Sequence, residues 1–235
     1  MSAVPRYATA ILALALVAQI SWQASEPQPI ARAAALGKPA DVSWLRVVSD
    51  GEPIGLAQML VLYLQAFDNQ PGVSMPFRAL DYGAVEQWLS TVIDLDPFTQ
   101  YPIMLAAQVY AQVPDEQRQR RMLDFVHREF LRDPERRWRW LAHAAIIAKH
   151  RLKDMPLALE YAEDIARHAK GALGWARQMR IFILEDMGEV EAAAVLLGGL
   201  LATGEVTDSA ELHFLTERLE ALKGAEKSSK PSENR

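Results

Sequence analysis

The sequence has no cysteine, and that absence removes disulfide frameworks, thiolate nucleophiles, zinc fingers and cysteine-ligated clusters together. It has no basic excess: 25 Lys and Arg stand against 30 Asp and Glu, a formal charge of -5, where a general binder of polyanions carries a cationic surplus. Nucleic acid is therefore not expected as a partner. Nucleophile and phosphate motifs are missing as well. There is no GxSxG elbow, no SxxK and no HExxH, and Gly198-Gly199 lies in an apolar run with no Lys-Ser/Thr after it. β-branched residues are few beside Ala, Leu, Glu, Arg and Gln, which argues for helix over sheet. Half of the 235 residues are hydrophobic, enough for a sizeable core.

What the sequence does have is a repeat. Trp138 has Tyr101 37 residues before it and Trp175 37 residues after it. Asp96-Pro97 and Asp133-Pro134 share that step, as do Val85, Met122, Leu159 and Leu196 in the intervening segments. A period of this size, with helical patterning inside each unit, marks helix pairs that stack on one another. Helices are expected over 53–68, 80–95, 97–113, 115–132, 155–170, 175–187, 189–202 and 209–222, with another opening at Pro134. Asp96 and Asp133 read as caps before a first-turn proline. Asp154 reads as a further cap, Gly188 and Gly204 as breaks, and Asp208 with Glu211 as a capping pair.

The amino terminus follows a different rule. Tyr7 to Trp22 is apolar apart from Thr9, Gln19 and Ser21 and follows a short basic flank. About 16 residues is short of the ~20 of a spanning helix, which favours a secretory signal. Bracketing aromatics and the lack of a small-residue cleavage site favour an anchor instead, built on Tyr7, Ile11, Leu12, Leu14, Leu16 and Trp22. The chain thus divides into an anchor or signal over 1–25, a linker with a short helix over 26–52, the repeat over 53–222 and a polar, disordered tail over 223–235.

Pro97 with Tyr101, Pro134 with Trp138, the Gly-rich turn before Trp175, and the small residues Ala162 and Ala193 resemble the tetratricopeptide repeat (TPR) family. The resemblance covers roughly 80–222, with a period of 37 where the family's is about 34. It implies an all-α fold: a right-handed stack of antiparallel helical hairpins, a TPR-like α-solenoid, preceded here by one apolar helix. The layout is also similar to that of Gram-negative envelope proteins in which a single-span anchor precedes such repeats. That likeness implies a scaffold or adaptor tethered to the inner membrane and facing the periplasm, or soluble there after signal cleavage. Its partner would be a protein. Carrying the family's groove positions over gives a patch of Arg136, Arg139, His143 and Arg180 with Tyr110 beside it, suited to an acidic segment or a C-terminal carboxylate.

Other readings compete. Between Gln117 and Arg139 eight arginines face four acids, and such a run is ordinarily a solvated face laced with ion pairs, Arg128 with Asp124 for example; contact with anionic lipid is a third option. His143 and His150 sit seven apart on one helix, about 10 Å of rise, too far to share an ion, so His127, His143, His150, His168 and His213 are expected to be surface or packing residues. Trp138, Trp140 and Trp175 are expected to anchor the core. No metal and no cofactor is expected, and binding is favoured over catalysis. The rival function is an envelope enzyme, a helical hydrolase or lyase.

Overall fold

A computed structural model describes residues 6–25 and 33–229, and these are all-α apart from one short hairpin. The helices are α1 (Arg6–Ser25), α2 (Val42–Val48), α3 (Pro53–Ala66), α4 (Tyr82–Leu95), α5 (Tyr101–Gln108), α6 (Glu116–Arg132), α7 (Pro134–Ile147), α8 (Met155–His168), α9 (Gly174–Asp186), α10 (Val190–Thr203) and α11 (Ser209–Ser229). After α3 the strands Asn69–Gln70 and Val73–Ser74 pair antiparallel across Pro71-Gly72, with Gly72 at φ 77°, a backbone state that glycine adopts without penalty.

Two residue types set the helix starts. Asp41, Asp81, Asp115 and Asp154 cap α2, α4, α6 and α8, each side chain accepting a first-turn backbone N–H. Prolines stand in the first turn of α3, α5 and α7, where their missing N–H costs nothing. The 37-residue step spans one pair: Val85, Met122, Leu159 and Leu196 fall on α4, α6, α8 and α10, and Tyr101, Trp138 and Trp175 on α5, α7 and α9.

Packing follows chain order. From α2 onward each helix packs on its successor, and α2 also meets α4, α4 meets α6 and α5 meets α7. One apolar core runs from Leu36 through Val85, Leu89, Phe125, Phe130, Leu141 and Tyr161 to Ile183, and a second, smaller one joins α9, α10 and α11 around Leu197 and Leu215. Across the pairs runs a series of polar links between residues about one period apart. Gln65 donates to the Tyr101 hydroxyl (2.8 Å), Arg121 to Glu86 (2.7 Å), Arg132 to Asp94 (2.9 Å) and Arg120 to Asp154 (2.6 Å). Farther along, His127 meets Asp164 at 2.6 Å, the Gly171 N–H donates to Glu135 at 2.9 Å, Lys149 pairs with Asp186, and Arg218 holds Glu185 at 2.7 Å.

Several expectations are corrected. Asp96-Pro97 does not open a helix: the Asp96 carboxylate accepts the Phe98 N–H in a turn, and α5 starts at Tyr101 with Pro102 in its first turn. α5 also ends early, at Gln108, before a 3-10 turn at Tyr110–Gln112. The linker over 26–52 contains α2. Within that linker residues 33–41 are non-helical and 26–32 lie outside the described residues. α11 runs on through Gly224 to Ser229, so the tail read as disordered begins as helix; 230–235 lie outside the described residues. Arg128 pairs with Glu86, not with Asp124. The 37-step aromatics differ in environment: Trp138 is buried with its ring edge-on to Trp175 at 5.7 Å, while Tyr101 and Trp175 are about half exposed.

α1 carries the expected Tyr7, Ile11, Leu12, Leu14, Leu16 and Trp22, all exposed. Among the described residues no helix is long and apolar enough to cross a membrane. The flank 1–5 lies outside the described residues.

Candidate partner-binding site

Of the five residues expected to form one patch, the structure buries Tyr110 and leaves Arg136 and Arg139 exposed. Tyr110 is buried, its ring edge-on to Phe77 (5.7 Å) and Tyr82 (6.2 Å) and its carbonyl accepting the Tyr82 hydroxyl, so it offers a partner no surface. Aromatic packing outweighs the groove position assigned to it. Arg136, on α7, donates to Asp133 (2.5 Å) and lies over the Phe98 ring at 4.4 Å. Arg139 is exposed beside Trp138, its guanidinium 5.4 Å from that ring. His143 is half-buried with Nε2 shielded and unpartnered, and burial, then the charge of Arg151, holds its pKa below 6.5.

Most of the arginine run is tied up in ion pairs, as the solvated-face reading expects. Arg118 meets Asp115, Arg120 meets Glu116 and Asp154, Arg121 and Arg128 share Glu86, and Arg132 spans Asp94 and Glu129. Arg137 is the exception in depth. It is buried, and donates to the Glu129 carboxylate and carbonyl (both 2.7 Å) and to the Pro97 carbonyl (3.0 Å).

Arg180 is different in kind. It lines a cavity of about 530 Å³ between α9, α10 and the turn into α11, together with Arg177, Gln178, Gly199, Thr203, Glu205 and Glu211. Among the described residues it has no acceptor. Arg177 donates to Glu205 (2.8 Å) and Gln178 to Glu211 (2.6 Å), while Asp208 is occupied in capping α11 through the Glu211 N–H (2.8 Å). The Nε atoms of Arg177 and Arg180 are both shielded from solvent without a hydrogen bond. A buried donor left unmade costs roughly 1–3 kcal/mol. The cavity has room for a carboxylate-bearing side chain, and a guanidinium is the group that takes one bidentately.

One cluster went unread in the sequence because its members are far apart in it. His127 on α6 and Glu160 and Asp164 on α8 bring three possible ligand atoms within 4.8 Å of one another. His127 Nε2 lies 2.6 Å from Asp164, which also accepts from Arg167 (3.0 Å), and the His127 ring packs tilted against Tyr161 at 4.8 Å. With Asp164 engaged twice and Glu160 exposed, the arrangement works as a latch between α6 and α8. Set against known protein families, curated proteins and solved structures, the chain matches none of them.

Proposed function

We propose that this chain is a membrane-tethered helical-repeat scaffold that holds a protein partner through an acidic segment. In this reading the pairs α4–α5, α6–α7, α8–α9 and α10–α11 are successive hairpins of a right-handed, TPR-like solenoid, and α1 is the tether or leader that places them in the periplasm. Polar links recurring at about one period support the stacking, since a residue meets its equivalent neighbour one unit on only if the units lie side by side. The observation that carries the binding role is Arg180, a guanidinium without an acceptor in a cavity large enough for a side chain. The partner contact accordingly centres on Arg180 and Arg177; Arg136 and Arg139, held by Asp133 and the rings of Phe98 and Trp138, flank it at most.

The test is a crosslinking pull-down of Arg180→Glu alongside its thermal melt. Loss of a crosslinked partner with the melt unchanged supports the proposal. Capture at the wild-type level overturns the assignment of the cavity.

A further inference from the structure

The outer face of α3 is as anomalous as α1. Its fourteen residues, Pro53–Ala66, include no charged side chain. One side is buried through Ala57, Val61 and Leu64; the other presents Ile54 (52% exposed), Met59 (68%), Leu62 (62%) and Tyr63 (50%) to the outside. At 100° per residue those four, with Gln58, Gln65, Gly55 and Ala66 between them, span about half of the helix surface. α2, packed on α3, adds exposed Trp44, Val47 and Val48. Its single cation, Arg46, is exposed and donates to the Asp94 carbonyl (2.8 Å). An exposed patch of large apolar side chains of this kind marks an interface.

The chain itself limits what that interface can be. Only residues 26–32 lie between the end of α1 and Ala33, so even fully extended they separate Ser25 from Ala33 by no more than about 30 Å. Ala34 is fastened to the hairpin that follows α3: its N–H donates to the Gln70 side chain (2.7 Å) and its carbonyl accepts from it (3.1 Å). Farther along, Leu36 is buried and Trp88 donates to the Gly37 carbonyl (2.7 Å). Whatever bilayer takes up α1 therefore lies within one short tether of α2 and α3.

We infer that the apolar face of α2 and α3 rests in the interfacial layer of the same membrane that receives α1, with Trp44, Met59 and Leu62 among the acyl chains and headgroups. The inference rests on reading α1 as the tether. Contact of this kind is hydrophobic, since Asp41, Asp50 and Glu52 flank the patch and the one cation of α2, Arg46, is engaged by the Asp94 carbonyl, so it survives high salt and does not require anionic lipid.

The absence of native cysteine allows the test to be made on the full chain with single spin labels at L14C on α1, M59C and L62C on α3, and Gln117→Cys on α6 as an exposed control. Each is reconstituted with vesicles of phosphatidylethanolamine, with and without phosphatidylglycerol. The expected result is a rise in collision with oxygen and a fall in collision with a nickel chelate at 14, 59 and 62, none at 117, and no change in high salt. Lipid exposure at 14 alone overturns the inference while leaving the tether standing. Lipid exposure at no position overturns both. Insertion at 59 and 62 that vanishes in salt or without phosphatidylglycerol overturns the hydrophobic contact.

Discussion

Removing the Glu129 carboxylate is expected to be among the most damaging single changes in the repeat. Glu129 and Arg137 have side-chain exposures of 7% and 3%, and the guanidinium is held by the Glu129 carboxylate and by the carbonyls of Glu129 and Pro97. Arg137 thereby fixes the turn after α4 onto α7, one unit away. In Glu129→Ala two carbonyls still bind Arg137, but its buried charge loses the carboxylate it is paired with and keeps only the more distant attraction of Asp133, because a guanidinium stays protonated. Breaking a buried pair in this way costs about 3–5 kcal/mol. For a chain of this length ~1 kcal/mol moves Tm by roughly 2–4 °C, so the melt followed by circular dichroism should fall by roughly 6–20 °C. Exchanging both partners for apolar residues, Glu129→Leu with Arg137→Met, should recover about half of that loss, since the desolvated charges go together. A Glu129→Ala loss under ~1 kcal/mol would refute the reasoning, as would a double variant no better than the single.

Trp138→Ala should cost ~3–5 kcal/mol in chemical denaturation, because the indole is buried against Trp175; under ~1 kcal/mol would mean the aromatic is peripheral. His143 should make the protein acid-labile. Its folded pKa is below 6.5, so as pH falls through 6.5 the unfolded chain takes up the proton first and stability is lost until the folded value is passed. Urea midpoints across that window should fall less steeply for His143→Gln; parallel curves would contradict this. Asp164→Asn should weaken the α6–α8 latch, and hydrogen exchange should rise in those two helices ahead of α4 and α5.

The sequence carried the repeat because its period lies in bulky residues and in helix starts, Asp caps and first-turn prolines, that act locally. What it hid was set by contacts far along the chain. Asp96-Pro97 matches Asp133-Pro134 in type, yet Asp96 is used in a turn, which moved the start of α5 to Tyr101. α2 was unread because seven residues rich in Val give little periodicity, and its cap Asp41 is its clearest signal. The π-helical turn Ala148–Leu152, with Lys153 left-handed after it, left no trace in the pattern. Of the site, Arg180 was legible as a groove position, but Arg177 and Glu205 were not, since the cavity is made by α10 and α11 folding back onto α9.

Stacking predicts that units stabilise only their neighbours, and that is tested most directly by ending the chain after Gly188, which removes α10 and α11 with most of the smaller core. The shortened protein should stay helical and melt in one sigmoidal transition at a lower temperature, its remaining core from Leu36 to Ile183 intact. A non-cooperative melt, or helicity lost throughout, would contradict the account.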